Sequence, residues 1–154
     1  MVVLVSDLPI TDGSTARNVD PAAFTLLKEE ILVNAKSKGA TETHVILLGD
    51  IFDLVRTDYW ALAIPYEQRP WNGTIDIATG MNGNTAEVER QFNVVLDRIF
   101  AAPDRSAASL IAMLDSLPSH QELSGVPMKL TYVVGNHDRV FNNFPSLQQK
   151  LSAK

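Results

Sequence analysis

The chain has 154 residues, 45% of them hydrophobic and 20% charged, with a formal net charge of −5 and no cysteine. That size and composition suit one ordinary globular domain with a true core, and argue against a disordered or fibrous chain. The lack of cysteine excludes disulfides and thiolate metal sites, leaving carboxylate, imidazole and amide oxygen as metal ligands, a set suited to hard or borderline divalent ions. The acidic balance disfavours non-specific nucleic-acid binding. No apolar run approaches the roughly 18 residues of a membrane span, and no export signal is visible, so the expectation is a cytoplasmic protein.

In chain order, the apolar run Val2 to Val5 reads as a buried strand. A helix follows with clear punctuation: Asp20 as N-cap, Pro21 in the first turn, Phe24, Leu27 and Ile31 at helical spacing, then Lys36, Lys38 and a terminating Gly39. His44 to Leu48 reads as a second strand, and strand, helix, strand implies a parallel pair with a right-handed crossover. Residues 54 to 83 hold Tyr59, Trp60, Pro65, Pro70 and Trp71 among several Gly and Asn. This tract reads as a long loop insertion with a helical turn near Tyr59, and a loop of that length in a small domain is a candidate wall or lid for a site.

A third helical pattern starts near Asn84, with Val88, Phe92, Val95, Leu96 and Ile99 on one face, Glu87 placed for a capping box and Pro103 as its end. Asp104 caps a further helix carrying Leu110, Ile111, Leu114 and Leu117, which Pro118 stops. Leu130 to Val134 is the third strand, and "FPSLQQKLSAK" is a short terminal helix or a frayed end. The unbroken apolar character of the strands predicts cover on both faces of the sheet.

Each strand runs into residues able to hold a metal: "VVLVSD" into Asp7, "HVILLGD" into Asp50 with Asp53 three later, and "LTYVVGNHD" into Asn136, His137 and Asp138. In parallel α/β sheets, ligands gather beyond the carboxyl ends of the strands, so adjacent strands would set these side chains around one crevice. Gly49 and Gly135 precede the polar residues, where a missing side chain lets the backbone turn sharply. Carboxylates converging without basic partners repel one another, and a divalent cation is the simplest neutraliser. His44 and His120 have no spacing that argues for ligation.

The blocks "SDLPITDG", "GDIFDL" and "GNHDR" resemble the first three sequence blocks of the calcineurin-like metallophosphoesterases, which run D-x-H, G-D-x-x-D and G-N-H-[DE] before an isolated His and a final G-H-x-H. The resemblance implies an α/β fold, part of a four-layer α/β/β/α sandwich, spanning residues 1 to 154 as a single incomplete domain. It implies a site for two divalent ions (Mn, Fe or Zn), with Asp7 and Asp50 on one ion and Asp50 bridging to a second that Asn136 also binds. It further implies that His137 contacts phosphate and protonates the leaving oxygen, that Asp138 orients His137, and that Asp53, Gly49 and Gly135 play supporting roles. Arg139 and Arg56 are candidate phosphate-binding cations. The implied activity is hydrolysis of a phosphomonoester or phosphodiester, with a phosphorylated small molecule as substrate.

The chain departs from that pattern at Pro9, where the family has histidine, and after His137 it contains no histidine at all. Proline has no lone pair for a metal. Weak metal affinity and negligible turnover are therefore expected of this chain alone. The alternative is a non-catalytic phosphate-binding or interaction module on the same scaffold.

Overall fold

A computed structural model describes residues 1–153; Lys154, the last residue of the expected domain and terminal segment, lies outside the described residues. Strands β1 (Val2–Val5), β2 (Thr43–Leu47) and β5 (Met128–Tyr132) form a parallel sheet in the order β1-β2-β5. Val5 lies opposite Leu47, which lies opposite Tyr132, so the three strands end level with one another. All three therefore discharge their following turns at the same edge of the sheet.

The helices follow the expected punctuation. Helix α1 (Pro21–Ser37) begins where the Asp20 carboxylate accepts the Ala22 N–H at 2.9 Å. Beyond the short α2 (Tyr59–Leu62), helix α3 (Thr85–Ala101) starts at Asn84, whose side chain accepts the Glu87 N–H. Glu87 does not close the capping box: its carboxylate takes Arg90 and the Gln91 amide instead. Helix α4 (Ser106–Ser116) begins after Arg105, which holds a left-handed conformation, while Asp104 accepts the Ser106 N–H at 3.0 Å. Helix α5 (Pro145–Ser152) is anchored to α3 by Lys150 on Asp97 at 2.7 Å and by the Ser146 hydroxyl, which donates to Glu89. No helix among the described residues is long and apolar enough to cross a membrane.

Three features differ from expectation. β5 starts and ends two residues early; Val133 still donates its N–H to Leu47 O at 2.8 Å, and the chain then brings Gly135 against the turn after β2. The insertion contains a small hairpin, β3 (Ile75–Asp76) with β4 (Met81–Asn82), in strands too short to show a period of two. The sheet is covered on one face only. Val45 and Leu47 are buried in the core shared with α1, α3 and α4, whereas Val2 and Leu4, on the opposite face, are each 62% exposed. On that open face the His44 ring meets the Thr131 hydroxyl at 2.8 Å. Strands of four and five residues with apolar side chains on both faces look alike whether or not a second layer covers them.

Candidate functional site

The turns after β2 and β5 interlock through their backbones. Gly49 adopts φ +81°, and a Cβ there would stand 2.6 Å from the backbone of Gly135; one on Gly135 would collide with Asp50, 2.6 Å from its amide nitrogen. Only glycine at both positions permits this approach. It puts Asp50 Oδ1 where it accepts the His137 N–H at 2.8 Å, joining residues 87 apart in sequence. The other Asp50 oxygen has no protein partner among the described residues.

Asp138 and Asp53 are buried carboxylates with different tasks. Asp138 accepts the Gly135 N–H at 2.5 Å, the Ile51 N–H at 3.2 Å and the Tyr132 hydroxyl. It ties the end of β5 to both turns. Burial first, then the hydrogen bond and charge of Asp138 and the charge of Asp50, push the Tyr132 hydroxyl well above the usual phenol range, so it stays a donor. Asp53 accepts the Val55 and Arg56 N–H groups, each at 3.0 Å, and its Oδ2 meets Arg56 Nε at 2.5 Å and His137 Nδ1 at 3.0 Å. Burial raises the Asp53 carboxyl, but the hydrogen bonds from Arg56 and Val55 and the charge of His137 outweigh it and hold the group below the usual carboxylate range. An ionised carboxylate can only accept, so the His137 ring carries a proton at Nδ1. The partner of the His137 ring is thus Asp53, and not its chain neighbour Asp138, whose oxygens are fully turned to the backbone and Tyr132.

The turn after β1 is built differently. The chain swings outward at Ser6 to Pro9 and returns to pair again at Ile10, whose N–H donates to Ile51 O and whose carbonyl accepts the Asp53 N–H, both at 2.9 Å. Beyond it, the buried Asp12 accepts the Thr57 hydroxyl at 2.5 Å and pairs with Arg98 Nε at 2.8 Å, which fastens this loop to α3. Asp7 itself is exposed and makes no side-chain hydrogen bond or ion pair among the described residues. Asp7 and Asp50 share one backbone conformation, φ 53° and φ 51°, at neighbouring strand ends. Two non-glycine residues in the left-handed region cost free energy, and such strain gathers at functional sites.

The donors at this edge are the Asp7 and Asp50 carboxylates and the exposed Asn136 amide. Among the described residues, no group of three or more His, Cys, Asp or Glu comes together as a metal site would require. The chemistry of three oxygen donors fits one hard divalent ion that completes its shell with water, as magnesium-type sites do, and falls short of a set for two ions. Arg56 is committed to Asp53, whereas the exposed Arg139 side chain has no partner among the described residues and lies beside Asn136 and His137 in a cleft. His120 accepts the Glu122 N–H through Nδ1 and, like His44, stands apart from this edge.

Two participants were not singled out by motif. Tyr132 sits inside a strand, where its apolar ring explains it, and only the fold brings its hydroxyl to Asp138. Asp12 lies within the first block, five residues after Asp7, and its partners Thr57 and Arg98 lie 45 and 86 positions away. Comparison of the chain with protein-family models, curated proteins and solved structures gives no match.

Proposed function

We propose that the edge beyond β1, β2 and β5 is a phosphoester-hydrolysing site of the calcineurin-like kind, on a scaffold corresponding to the first sheet of the four-layer sandwich. The observation that carries the reading is the interlock of the two matching blocks: Asp50, Asn136 and His137 emerge from turns that only glycine at 49 and 135 allows to touch. The open face of the sheet supports the fold assignment, since a four-layer sandwich packs a second sheet there.

Asp7, Asp50 and Asn136 would hold the metal, which when bound supplies an activated water and neutralises phosphate charge. His137 is positioned by Asp53, which accepts its Nδ1–H at 3.0 Å. As a water oxygen bonds to phosphorus and the bond from phosphorus to the ester oxygen breaks, His137 gives an Nε2 proton to the departing oxygen while its Nδ1–H stays hydrogen-bonded to Asp53, and the proton that the water loses goes to the released phosphate. Arg139, without a partner among the described residues, lies at the same turn and would face the substrate's negative charge. Pro9 supplies no ligand, so turnover by the chain alone is expected to be metal-dependent but negligible beside that of a complete two-ion site.

Assay of nitrophenyl phosphate hydrolysis with added manganese, alongside His137→Ala and Asp50→Asn, tests the reading. A weak metal-dependent rate that both variants remove supports it, and a rate indifferent to both rejects it. A second reading, an interaction module, is favoured by the open apolar sheet face at Val2, Leu4, Leu48 and Val133. Concentration-dependent association with no metal-dependent rate would select it.

A further inference from the structure

The insertion between β2 and α3 reaches the turn after β5 as a braced wall. Trp60 is buried, donates Nε1–H to Leu54 O at 3.1 Å and meets Trp71 and Phe92 edge to face, with both ring centroids at 5.2 Å. Gln91 on α3 donates to Gln68 O at 3.0 Å, and the Asn82 amide donates to Glu67 O and Asn72 O at 3.0 and 2.7 Å. Thus supported, Trp71 remains 44% exposed. With Pro70 and Met81 it forms the apolar side of a cleft whose polar side is Asn136, His137 and Arg139. Among the described residues no Asp or Glu lines this cleft, although the chain carries 18 acidic residues. Its charge therefore complements an anion, and its opposite wall complements a flat apolar body.

The geometry points to this cleft as the leaving-group subsite, for phosphomonoesters of aromatic alcohols. The inference rests on the proposed phosphoester site: the group that protonates the departing oxygen must lie beside the departing alcohol, and Trp71 is on the His137 side of the turn. The cleft encloses about 60 Å³, roughly the share of two water molecules in the liquid. An aromatic ring is not engulfed there. It enters by its edge and lies against the exposed indole of Trp71, while Arg139 and Asn136 take phosphate oxygens.

The test needs no turnover. Phenylphosphonate and methylphosphonate, whose P–C bonds resist hydrolysis, are titrated into the full chain with and without manganese, or with magnesium where paramagnetism broadens the signals. The two indole N–H signals are followed by NMR; Trp60, buried and hydrogen-bonded, is the slow-exchanging one. The expected result is phenylphosphonate binding about tenfold tighter than methylphosphonate, in keeping with one aromatic contact plus buried ring area. The Trp71 signal should move further than that of Trp60. Trp71→Ala should bring phenylphosphonate down to the methylphosphonate level, and Arg139→Ala should weaken both ligands by a similar factor. Equal binding of both phosphonates overturns the subsite while leaving the phosphate site standing. Binding of benzyl alcohol with no response to either phosphonate overturns both, as does the absence of any binding. Should Trp71→Ala fail to fold, a Trp71 signal unmoved by phenylphosphonate in the unaltered chain is enough to reject the proposal.

Discussion

At the end of β5, residues 135 to 138 are gripped from several sides: Asp138 holds Gly135 N–H, Ile51 N–H and the Tyr132 hydroxyl, and Asp50 holds His137 N–H. At the end of β1, Asp7 stands exposed and without a partner among the described residues, and Pro9 can neither donate a backbone hydrogen bond nor ligate a metal. The β1 loop is fastened only further along, where buried Asp12 takes the Thr57 hydroxyl and Arg98, whereas the turn after β5 has buried carboxylates gripping the site residues themselves. The difference teaches where a polar turn owes its shape to the fold and where its tip is left unbraced.

Substitutions should expose the contrast in graded fashion. Asp138→Ala leaves three donors without their shared acceptor and should cost about 4 kcal/mol in urea unfolding, since each buried unpaired group costs about 1–3 kcal/mol before water relieves it. Gly135→Ala drives a methyl group into Asp50 and should cost about 3 kcal/mol, with loss of the His137 amide shift that marks the Asp50 bond. A variant that unfolds at the wild-type midpoint in either case would mean that the interlock is not what holds the turn.

Asp53→Asn should cost about 2 kcal/mol, because its amide nitrogen would confront two donors, Arg56 Nε and His137 Nδ1. The same variant has a pH signature. The Asp53 carboxyl titrates below its ordinary value of 3.8 in the fold, so its stabilisation is complete above that value and fades as pH falls through the lowered one. Acidification below pH 3.8 should therefore destabilise the unaltered chain more steeply than Asp53→Asn, and parallel profiles would contradict the assignment. At the other end of the scale, Asp7→Asn, which keeps a residue tolerant of the left-handed φ, should shift stability by less than about 0.5 kcal/mol, as surface changes do. A large loss from Asp7→Asn would show that the β1 turn is as firmly built as the other.

Much of the fold was legible where a local rule acts alone. Asp20, Pro21 and Gly39 punctuate α1 by capping chemistry, and the β-branched runs mark β1 and β2. The end of β5 was not, because Val133 and Val134 continue the apolar run and only the fold shows where the backbone turns to meet the loop after β2. The open sheet face escaped for a related reason: Val2 and Leu4 are as apolar as Val45 and Leu47, and their exposure depends on what the fold stacks above them. At the site, short motifs pointed to Asp50, Asn136 and His137 as one edge. They did not show that His137 takes Asp53 as its partner across 84 residues of sequence, since the family resemblance implied Asp138.

The central claim is that the interlocked turns after β2 and β5 form the competent half of a metal-binding phosphoester site whose β1 side is deficient. Manganese bound per chain, counted by electron paramagnetic resonance, tests it most directly. The account predicts binding of less than one ion per chain, lost in Asp50→Asn and not raised to two by Pro9→His. Two tightly held ions with brisk nitrophenyl phosphate turnover in the unaltered chain, or binding indifferent to Asp50→Asn, would contradict it.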